Sequence, residues 1–381
     1  MRSLRMEDAR WMVNRVIGGI DFSLLAGARG SSALPEQSAR FETSDIALVT
    51  EILLPSKLLA RIESERPKHV LIVPDGALHQ MPFETLTTDK EGKRCLLEAL
   101  PPIAYAPSLA IYELLRQPRK KASQYSLLSV ANPRYADGLE TGKPASDVST
   151  IGGEFAAICE LQQLTKLPET KTESDKVCRA FRESLGDSAD VRPLMDDLAS
   201  ESNVREELCR REFTFLHFAV HGLVDQQFQN LFGALALATP KKLGAGDDGF
   251  LTLQEVLELE LGKCELAILS ACQTNCGPQR PLEAGSTIAR SFICAGANRV
   301  ICSHWSVPDR ETAQLVSDFV AQVTGELADG KPVDYADALR NAKLKLRKSN
   351  ASPKAWAPLV LVGPPTNAAA VPREAEIATR N

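Results

Sequence analysis

The amino-acid sequence predicts an α/β protein built on a mainly parallel sheet that is buried on both faces. Six short runs are apolar almost throughout and lack the strict alternation of a half-exposed strand, which is typical of central parallel strands. Helical stretches, with apolar residues spaced near 3.6, lie between most of these runs. Strands and helices that alternate along the chain need crossover connections, and such connections define the α/β class.

The predicted strands are rich in valine, isoleucine and leucine and are each four to eight residues long. In chain order they cover residues 69–74, 126–132, 213–220, 265–270, 299–305 and 359–363. The predicted helices carry an apolar stripe and cover residues 154–164, 175–185, 204–211, 286–294, 312–327 and 335–346. No repeat of 20 to 50 residues is present, so the sequence does not predict a solenoid.

Composition shifts along the chain predict four segments. Residues 1–40 end in the Gly/Ser/Pro-rich stretch Gly27–Pro35 and are expected to be a leader or docking segment. Residues 41–120 form a smaller α/β unit, and the polar, basic joint Gln117–Gln124 precedes a larger unit at 125–365. The Ala/Pro/Glu-rich tail at 366–381 is expected to be disordered.

Charge and cysteine content exclude several classes of function. The net charge of −5 and the pI near 5.7 argue against non-specific nucleic-acid binding, which needs a basic face. No run of about 18 uncharged apolar residues occurs, so neither a membrane span nor another membrane association is expected. The nine cysteines are an odd number, and several lie inside apolar runs, which indicates buried thiols and a cytoplasmic location.

Two predicted strands end in residues that can carry chemistry. The run 213–220 is followed by His221 and Gly222, and the run 265–270 is followed by Ala271 and Cys272. In open α/β sheets, sites form beyond the carboxyl ends of the strands, so the histidine and the cysteine can meet if their strands are neighbours. A thiolate nucleophile with an imidazole base would then form an acyl-enzyme, and the N–H groups of Gly222 and Cys272 would stabilise the oxyanion.

Three alternatives compete with this catalytic pair. His217 and His221 with Cys272 and Cys276 could bind zinc, although four residues of strand cover about 13 Å, too far for one tetrahedral ion to bind both histidines. His217 could instead be a half-buried strand residue with a hydrogen bond in the core. Cys272 could be a structural thiol, but the polar loop that follows it argues against burial.

Two motifs resemble those of CHAT-domain peptidases, in the caspase–separase clan of cysteine endopeptidases. They are Leu216–Gly222 (LHFAVHG) and Leu269–Thr274 (LSACQT). Further stretches agree with the family in order and spacing, so the resemblance covers about residues 45–365: Ile72–Phe83, Leu251–Val256, Ala289–Ala297, Ser303–Asp309 and Trp356–Gly363.

The resemblance implies a caspase-like three-layer α/β/α sandwich preceded by a smaller, catalytically silent half. It also implies that His221 is the catalytic histidine, that Cys272 is the nucleophile, and that no third acid is required. Two features depart from the family. Val220 stands where a threonine is frequent, and the tetratricopeptide repeats usual upstream are absent. The chain is therefore either a standalone member of the family or one with a separate sensor or activating protein, and the second is expected.

Two acidic residues are further candidates. Asp309 lies where separase-like enzymes place an acid in the pocket for the residue before the cut, and Glu283 is a second candidate for the same cleft. The alternatives are a helix cap for Asp309, at the start of the helix 312–327, and a surface loop position for Glu283. His79 is expected to be structural, because no cysteine lies near it in the pattern.

The function that the resemblance implies is regulated limited proteolysis of a protein substrate by a cysteine endopeptidase that needs no cofactor. Family analogy adds a role in prokaryotic defence. A non-catalytic scaffold that keeps the fold is the alternative, and the intact His221/Cys272 pair argues against it. A third alternative is a cysteine acyl-transferase or a self-processing enzyme that uses the same pair.

Overall fold

The computed structural model confirms the predicted α/β class. It describes residues 12–13, 16, 43–88, 94–119, 124–135, 164, 166–224, 233–240, 247–272, 274–275, 287–349 and 351–367. Within these residues an eight-stranded, mainly parallel sheet lies between two layers of helices, and a three-stranded antiparallel sheet lies beside it. None of the helices in this part of the chain has the length and apolar character to cross a lipid bilayer.

The large sheet has the strand order β1-β2-β11-β10-β9-β5-β3-β4, and β6, β7 and β8 form the small sheet. Every neighbouring pair in the large sheet is parallel except β10 and β11. The strands are β1 Val70–Ile72, β2 Ile103–Tyr105, β3 Tyr125–Pro133, β4 Ala189–Asp196, β5 Phe215–Ala219, β6 His221–Val224, β7 Gly233–Ala236, β8 Phe250–Thr252, β9 Leu266–Leu269, β10 Val300–Ser303 and β11 Leu359–Val362.

Eleven α-helices are described within the same residues, together with three short 3₁₀ turns at Gly76–Gln80, Phe83–Thr85 and Gly186–Ser188. The helices are α1 Thr43–Leu53, α2 Ser56–Glu65, α3 Leu96–Ala99, α4 Leu109–Leu115, α5 Pro168–Leu185, α6 Glu201–Arg210, α7 Leu253–Leu257, α8 Ile288–Cys294, α9 Asp309–Ala328, α10 Tyr335–Lys348 and α11 Pro353–Trp356.

The three layers follow from side chains that alternate between the two faces of each strand. In β9, Ala267 and Leu269 enter one core, whereas Leu266 and Ile268 enter the other. The first core includes side chains of α6, α7 and α8, and the second includes side chains of α5, α9 and α10. Both faces of the central strands are therefore buried, which is why these strands lack alternation in the sequence.

The structure adds elements that the sequence pattern did not reveal. The edge strand β4 reads ADVRPLMD, and its polar residues hide it from a search for continuous apolar runs. Strand β2 is only three residues long, and the small sheet was not predicted at all. Strands β1 and β2, from the predicted smaller unit, continue the same sheet as the larger unit. The predicted helix 154–164, apart from its last residue, and nearly all of the predicted leader and tail lie outside the described residues.

Candidate active site

The two strands that precede the histidine and the cysteine are neighbours in the sheet. Strand β5 pairs in parallel with β9, and the last paired residues are Phe218 and Leu269. His221 and Cys272 each stand three residues beyond this last pair, so both follow the carboxyl ends of neighbouring strands. The chain leaves the large sheet after Ala219 and enters the small sheet at His221, so the histidine lies at the junction between the two sheets.

Gly222 brings the backbone beside His221 against the backbone of Cys272. A Cβ atom at Gly222 would lie 2.1 Å from the carbonyl oxygen of Cys272 and 3.1 Å from its amide nitrogen. Only a residue without a side chain fits so close to another backbone. Position 222 therefore requires glycine. The close contact holds His221 and Gly222 next to Cys272.

The surroundings of Cys272 favour its neutral thiol form. The residue is half-buried and free of any disulfide. Burial raises the pKa of its thiol, and the nearby charge of Asp309 also raises it, whereas hydrogen bonds from the Val307 N–H and the Ser306 side chain lower it. Because the balance raises the pKa, the thiol needs a base that removes its proton before it can act as a nucleophile.

The loop that follows Cys272 is anchored to the end of β10. The Ser303 hydroxyl donates to the carbonyl oxygen of Ala271 at 2.5 Å, and the Ser303 N–H donates to the Thr274 hydroxyl at 2.9 Å. The Asn275 N–H donates in turn to the Ser303 carbonyl oxygen at 2.9 Å. These contacts surround Cys272 on both sides in sequence and hold its backbone in one place.

The buried histidine His304 contacts this loop at Asn275. The sequence analysis assigned His304 no role. The Nδ1 atom of His304 lies 3.3 Å from the side-chain amide nitrogen of Asn275. Burial lowers the pKa of His304 to about 3, and the charge of Lys343 adds to this effect, so its imidazole is neutral. His304 lies in the family-like segment Ser303–Asp309, which was the available signal.

His79 lies in a different contact, with Arg290 of α8. The guanidinium of Arg290 is 3.1 Å from Nε2 and 3.2 Å from Nδ1 of the His79 ring. Burial and the charge of Arg290 lower the pKa of His79 to about 4. A neutral histidine packed against an arginine is consistent with the structural role expected from the sequence.

His217 is completely buried, so the prediction of a half-buried residue was wrong. Its Nδ1 atom is 2.8 Å from the Ser129 hydroxyl, and its Nε2 atom is 2.8 Å from a carboxylate oxygen of Glu173, which is itself 1% exposed. Both ring nitrogens therefore have protein partners in the core. Among the described residues, no group of three or more His, Cys, Asp or Glu side chains is arranged to hold a metal ion.

Asp309 is the first residue of α9, and the alternative that it caps this helix was wrong. The N-cap position is Pro308, and the carboxylate of Asp309 instead accepts the backbone N–H of Glu169, in the first turn of α5, at 3.1 Å. Burial raises the pKa of Asp309, and Glu173 and Glu169 contribute to the rise. The same charge acts on the Cys272 thiol, so Asp309 lies in the neighbourhood of Cys272.

The other predicted acid, Glu283, lies outside the described residues. The site residues that the structure brings together are therefore His221, Gly222, Cys272 and Asp309. Ser306 and Val307, which contact the thiol, lie in the family-like segment Ser303–Asp309, but the sequence analysis assigned them no role.

A mainly parallel sheet covered by helices on both faces, with a histidine and a cysteine just beyond two neighbouring strands, is the arrangement expected from the resemblance to caspase-like cysteine peptidases. The CHAT domain model matches residues 46–364. Because this match covers most of the chain, the protein belongs to the CHAT domain family, as the sequence motifs predicted.

Solved structures similar to this chain include a cysteine proteinase and a separase–securin complex. The Arg-specific cysteine proteinase gingipain R is 10% identical, with 87% of this chain and 69% of that chain covered and a TM-score of 0.48. The complex of Porphyromonas gingivalis RgpB pro- and mature domains is 11% identical, with 94% and 76% covered and a TM-score of 0.48. The Saccharomyces cerevisiae separase–securin complex is 12% identical, with 94% and 22% covered and a TM-score of 0.42. No curated protein matches the chain.

Proposed function

We propose that this protein is a cysteine endopeptidase that performs regulated limited proteolysis of a protein substrate, with Cys272 as nucleophile and His221 as general base. The observation that carries the proposal is the contact between Gly222 and the backbone of Cys272, at the ends of two paired parallel strands. This contact keeps the residue after the histidine against the cysteine, as a catalytic pair requires. Membership of the CHAT domain family supports the same assignment.

The reaction follows from the chemistry of the pair. The His221 imidazole takes the proton of the Cys272 thiol, and the thiolate attacks the carbonyl carbon of the peptide bond. The N–H groups of Gly222 and Cys272 stabilise the oxyanion that forms. The imidazolium then protonates the leaving amine as the carbon–nitrogen bond breaks. Water, deprotonated by His221, attacks the thioester and releases the carboxylic acid and the free thiol.

Low activity of the protein alone is part of the proposal. The raised pKa of the Cys272 thiol keeps it neutral in the described conformation, in which Val307 and Ser306 contact the sulphur. A partner that displaces this segment slightly would change the pKa of the Cys272 thiol. It would also change the shape of the space in front of the thiol. We propose that a separate sensor or activating protein supplies that displacement, in a system such as prokaryotic defence.

The cytoplasm is the proposed location. All seven cysteines in the described part of the chain are free thiols, and four of them are buried: Cys95, Cys178, Cys264 and Cys302. Proteins of reducing compartments use cysteine in this way.

A non-catalytic scaffold remains the rival function, and a scaffold has no need for a glycine that keeps His221 beside Cys272.

The cleavage experiment compares cells that contain the wild-type protein with cells that contain Cys272→Ala. Mass spectrometry of new protein N-termini should reveal a small set of cuts that Cys272→Ala abolishes. Cys294→Ala is the matched control, because it removes an exposed cysteine at the end of α8. The proposal is wrong if the same N-termini appear with wild type and Cys272→Ala, or if the cuts disappear with Cys294→Ala instead.

Asp309 provides a prediction on specificity. A partly buried carboxylate beside the nucleophile would pair with a basic side chain in the residue before the cut and would repel an acidic one. We expect wild type to prefer arginine or lysine there, and Asp309→Asn to lose at least about 10-fold of that preference, since a charged pair contributes more than a neutral hydrogen bond. Asparagine can still accept the Glu169 N–H, so the fold should be kept.

Profiling with a peptide library measures this preference directly. Asp318→Asn is the control, because Asp318 lies in the same helix and pairs with Lys345 on the surface. An Asp309→Asn profile that matches those of wild type and the control would show that Asp309 only joins α9 to α5.

A further inference from the structure

We propose that Tyr135 is the positioning residue of the catalytic histidine: its hydroxyl fixes the backbone of His221 and its ring supports the imidazole. This inference rests on the proposed function of His221. Tyr135 follows β3, which lies on the other side of β5 from β9 in the sheet. The tyrosine and Cys272 therefore approach His221 from opposite sides.

The hydroxyl of Tyr135 joins the two strands at the position of the histidine. It donates to the carbonyl oxygen of Ala236 at 3.1 Å and accepts the N–H of His221 at 3.4 Å. Ala236 is the register partner of His221 in the β6–β7 pair. One phenol oxygen therefore contacts both members of the strand pair that begins at His221, where the chain leaves the large sheet.

The ring of Tyr135 lies against the side chain of His221. The two ring centroids are 5.2 Å apart with an interplanar angle of 48°, which is within the range of favourable aromatic contacts. Tyr135 is 4% exposed, so its ring is fixed by packing and forms a rigid support. A support of this kind limits the rotation of the imidazole, which is the property that orients a general base.

The local fold directs Tyr135 to this place. The pairing of β3 with β4 shifts register between Ala131 and Pro133, and Asn132 has a φ of +48°. Bulges of this kind redirect a strand next to functional sites. After the bulge, Tyr135 packs with Ala234, Ala236 and Phe250 in a small core that is separate from the two cores of the large sheet. The small sheet that begins with His221 therefore rests on Tyr135.

The experiment measures the rate at which iodoacetamide alkylates Cys272, across a pH series, by mass spectrometry of the Cys272 peptide. The raised pKa of Cys272 keeps this reaction slow in the protein alone, and a base that removes the thiol proton makes it faster near neutral pH than it is without that base. His221→Ala gives the reference profile without the base. Tyr135→Phe keeps the ring and removes the hydroxyl, whereas Tyr135→Leu removes both. Tyr335→Phe is the matched control, because Tyr335 is buried at the opposite end of the strands, where it contacts Glu265.

We expect Tyr135→Phe to slow alkylation about 5-fold near neutral pH, the effect of one hydrogen bond. Tyr135→Leu should slow it about 10- to 100-fold and move the pH profile towards that of His221→Ala, because a misplaced base is almost as harmful as a missing one. Tyr335→Phe should leave the profile unchanged. The Tyr135→Phe variant should thus keep part of the Cys272 reactivity that Tyr135→Leu loses. A general loss of stability would not produce this result.

Two outcomes separate the possible failures. If His221→Ala has the same profile as wild type, the catalytic pair itself is wrong and the inference falls with it. If His221→Ala changes the profile but Tyr135→Leu does not, the pair stands and the positioning role of Tyr135 is wrong.

Discussion

Replacement of Gly222 by alanine is expected to lower the reactivity of Cys272 by at least ~100-fold, since displacement of a reacting group by about 1 Å has effects of this size. The added Cβ atom would lie 2.1 Å from the Cys272 carbonyl oxygen, a distance that real Cβ atoms do not occupy. Both partners are backbone, so no side chain can rotate away, and either His221 or Cys272 must move. Labelling of Cys272 by an alkylating reagent measures the loss.

Gly325→Ala is the control for this substitution. Gly325 lies inside α9, and nothing lies within 4 Å of the Cβ atom that alanine would add. Alanine should stabilise the helix by about 0.5–1 kcal/mol and leave Cys272 unaffected. Wild-type reactivity of Gly222→Ala would mean that His221 and Cys272 are not constrained by this contact.

The second large effect is expected at a buried ion pair whose two residues are distant in sequence from His221 and Cys272. The ammonium of Lys343, in α10, contacts the carboxylate of Glu84, and the two side chains are 0% and 6% exposed. Lys343→Met would leave the carboxylate buried without its cation, which costs about 3–5 kcal/mol. The free energy of unfolding, from urea denaturation, should fall by that amount.

The double variant Lys343→Met/Glu84→Met tests the reason for the loss. It removes both charges and fills the space with apolar side chains, so it should recover most of the stability lost in Lys343→Met. An additive loss in the double variant would show that the two side chains act independently. The pair joins the 3₁₀ turn Phe83–Thr85 to α10, so it also ties the predicted smaller unit to the predicted larger one.

The central part of the fold could be predicted because its strands are buried on both faces. Residues 265–270 and 213–220 are apolar almost throughout, and the structure contains β9 and β5 at these places. Strand β4 could not be predicted in this way, since it is an edge strand and carries Asp190, Arg192 and Pro193. The small sheet was not predicted because its strands are only three or four residues long, too short to show a clear periodicity.

Some residues of the candidate site could likewise be predicted from the sequence, and others could not. His221 and Cys272 follow strands, so their position at the sheet edge could be inferred from local sequence. The contact of Tyr135 with His221 joins segments that are distant in sequence, and no local pattern marks it. Ser306 and His304 lie in the family-like segment Ser303–Asp309, but the contacts that give them a role appear only in the tertiary structure. Asp309 was located correctly at the start of a helix, but its partner belongs to α5, which only the tertiary structure reveals.

A peptidyl acyloxymethyl ketone with arginine at its carboxyl end tests the central claim most directly. Such a reagent alkylates a cysteine when an activated thiolate displaces the carboxylate from the methylene carbon beside its ketone. Intact-mass and peptide mass spectrometry of the protein, together with its activating partner once that is identified, should show one adduct, on Cys272 of the wild type. His221→Ala and Cys272→Ala should remain unlabelled under the same conditions. Labelling of His221→Ala at the wild-type rate, or an adduct on another cysteine, would contradict the assignment of Cys272 and His221 as a catalytic pair.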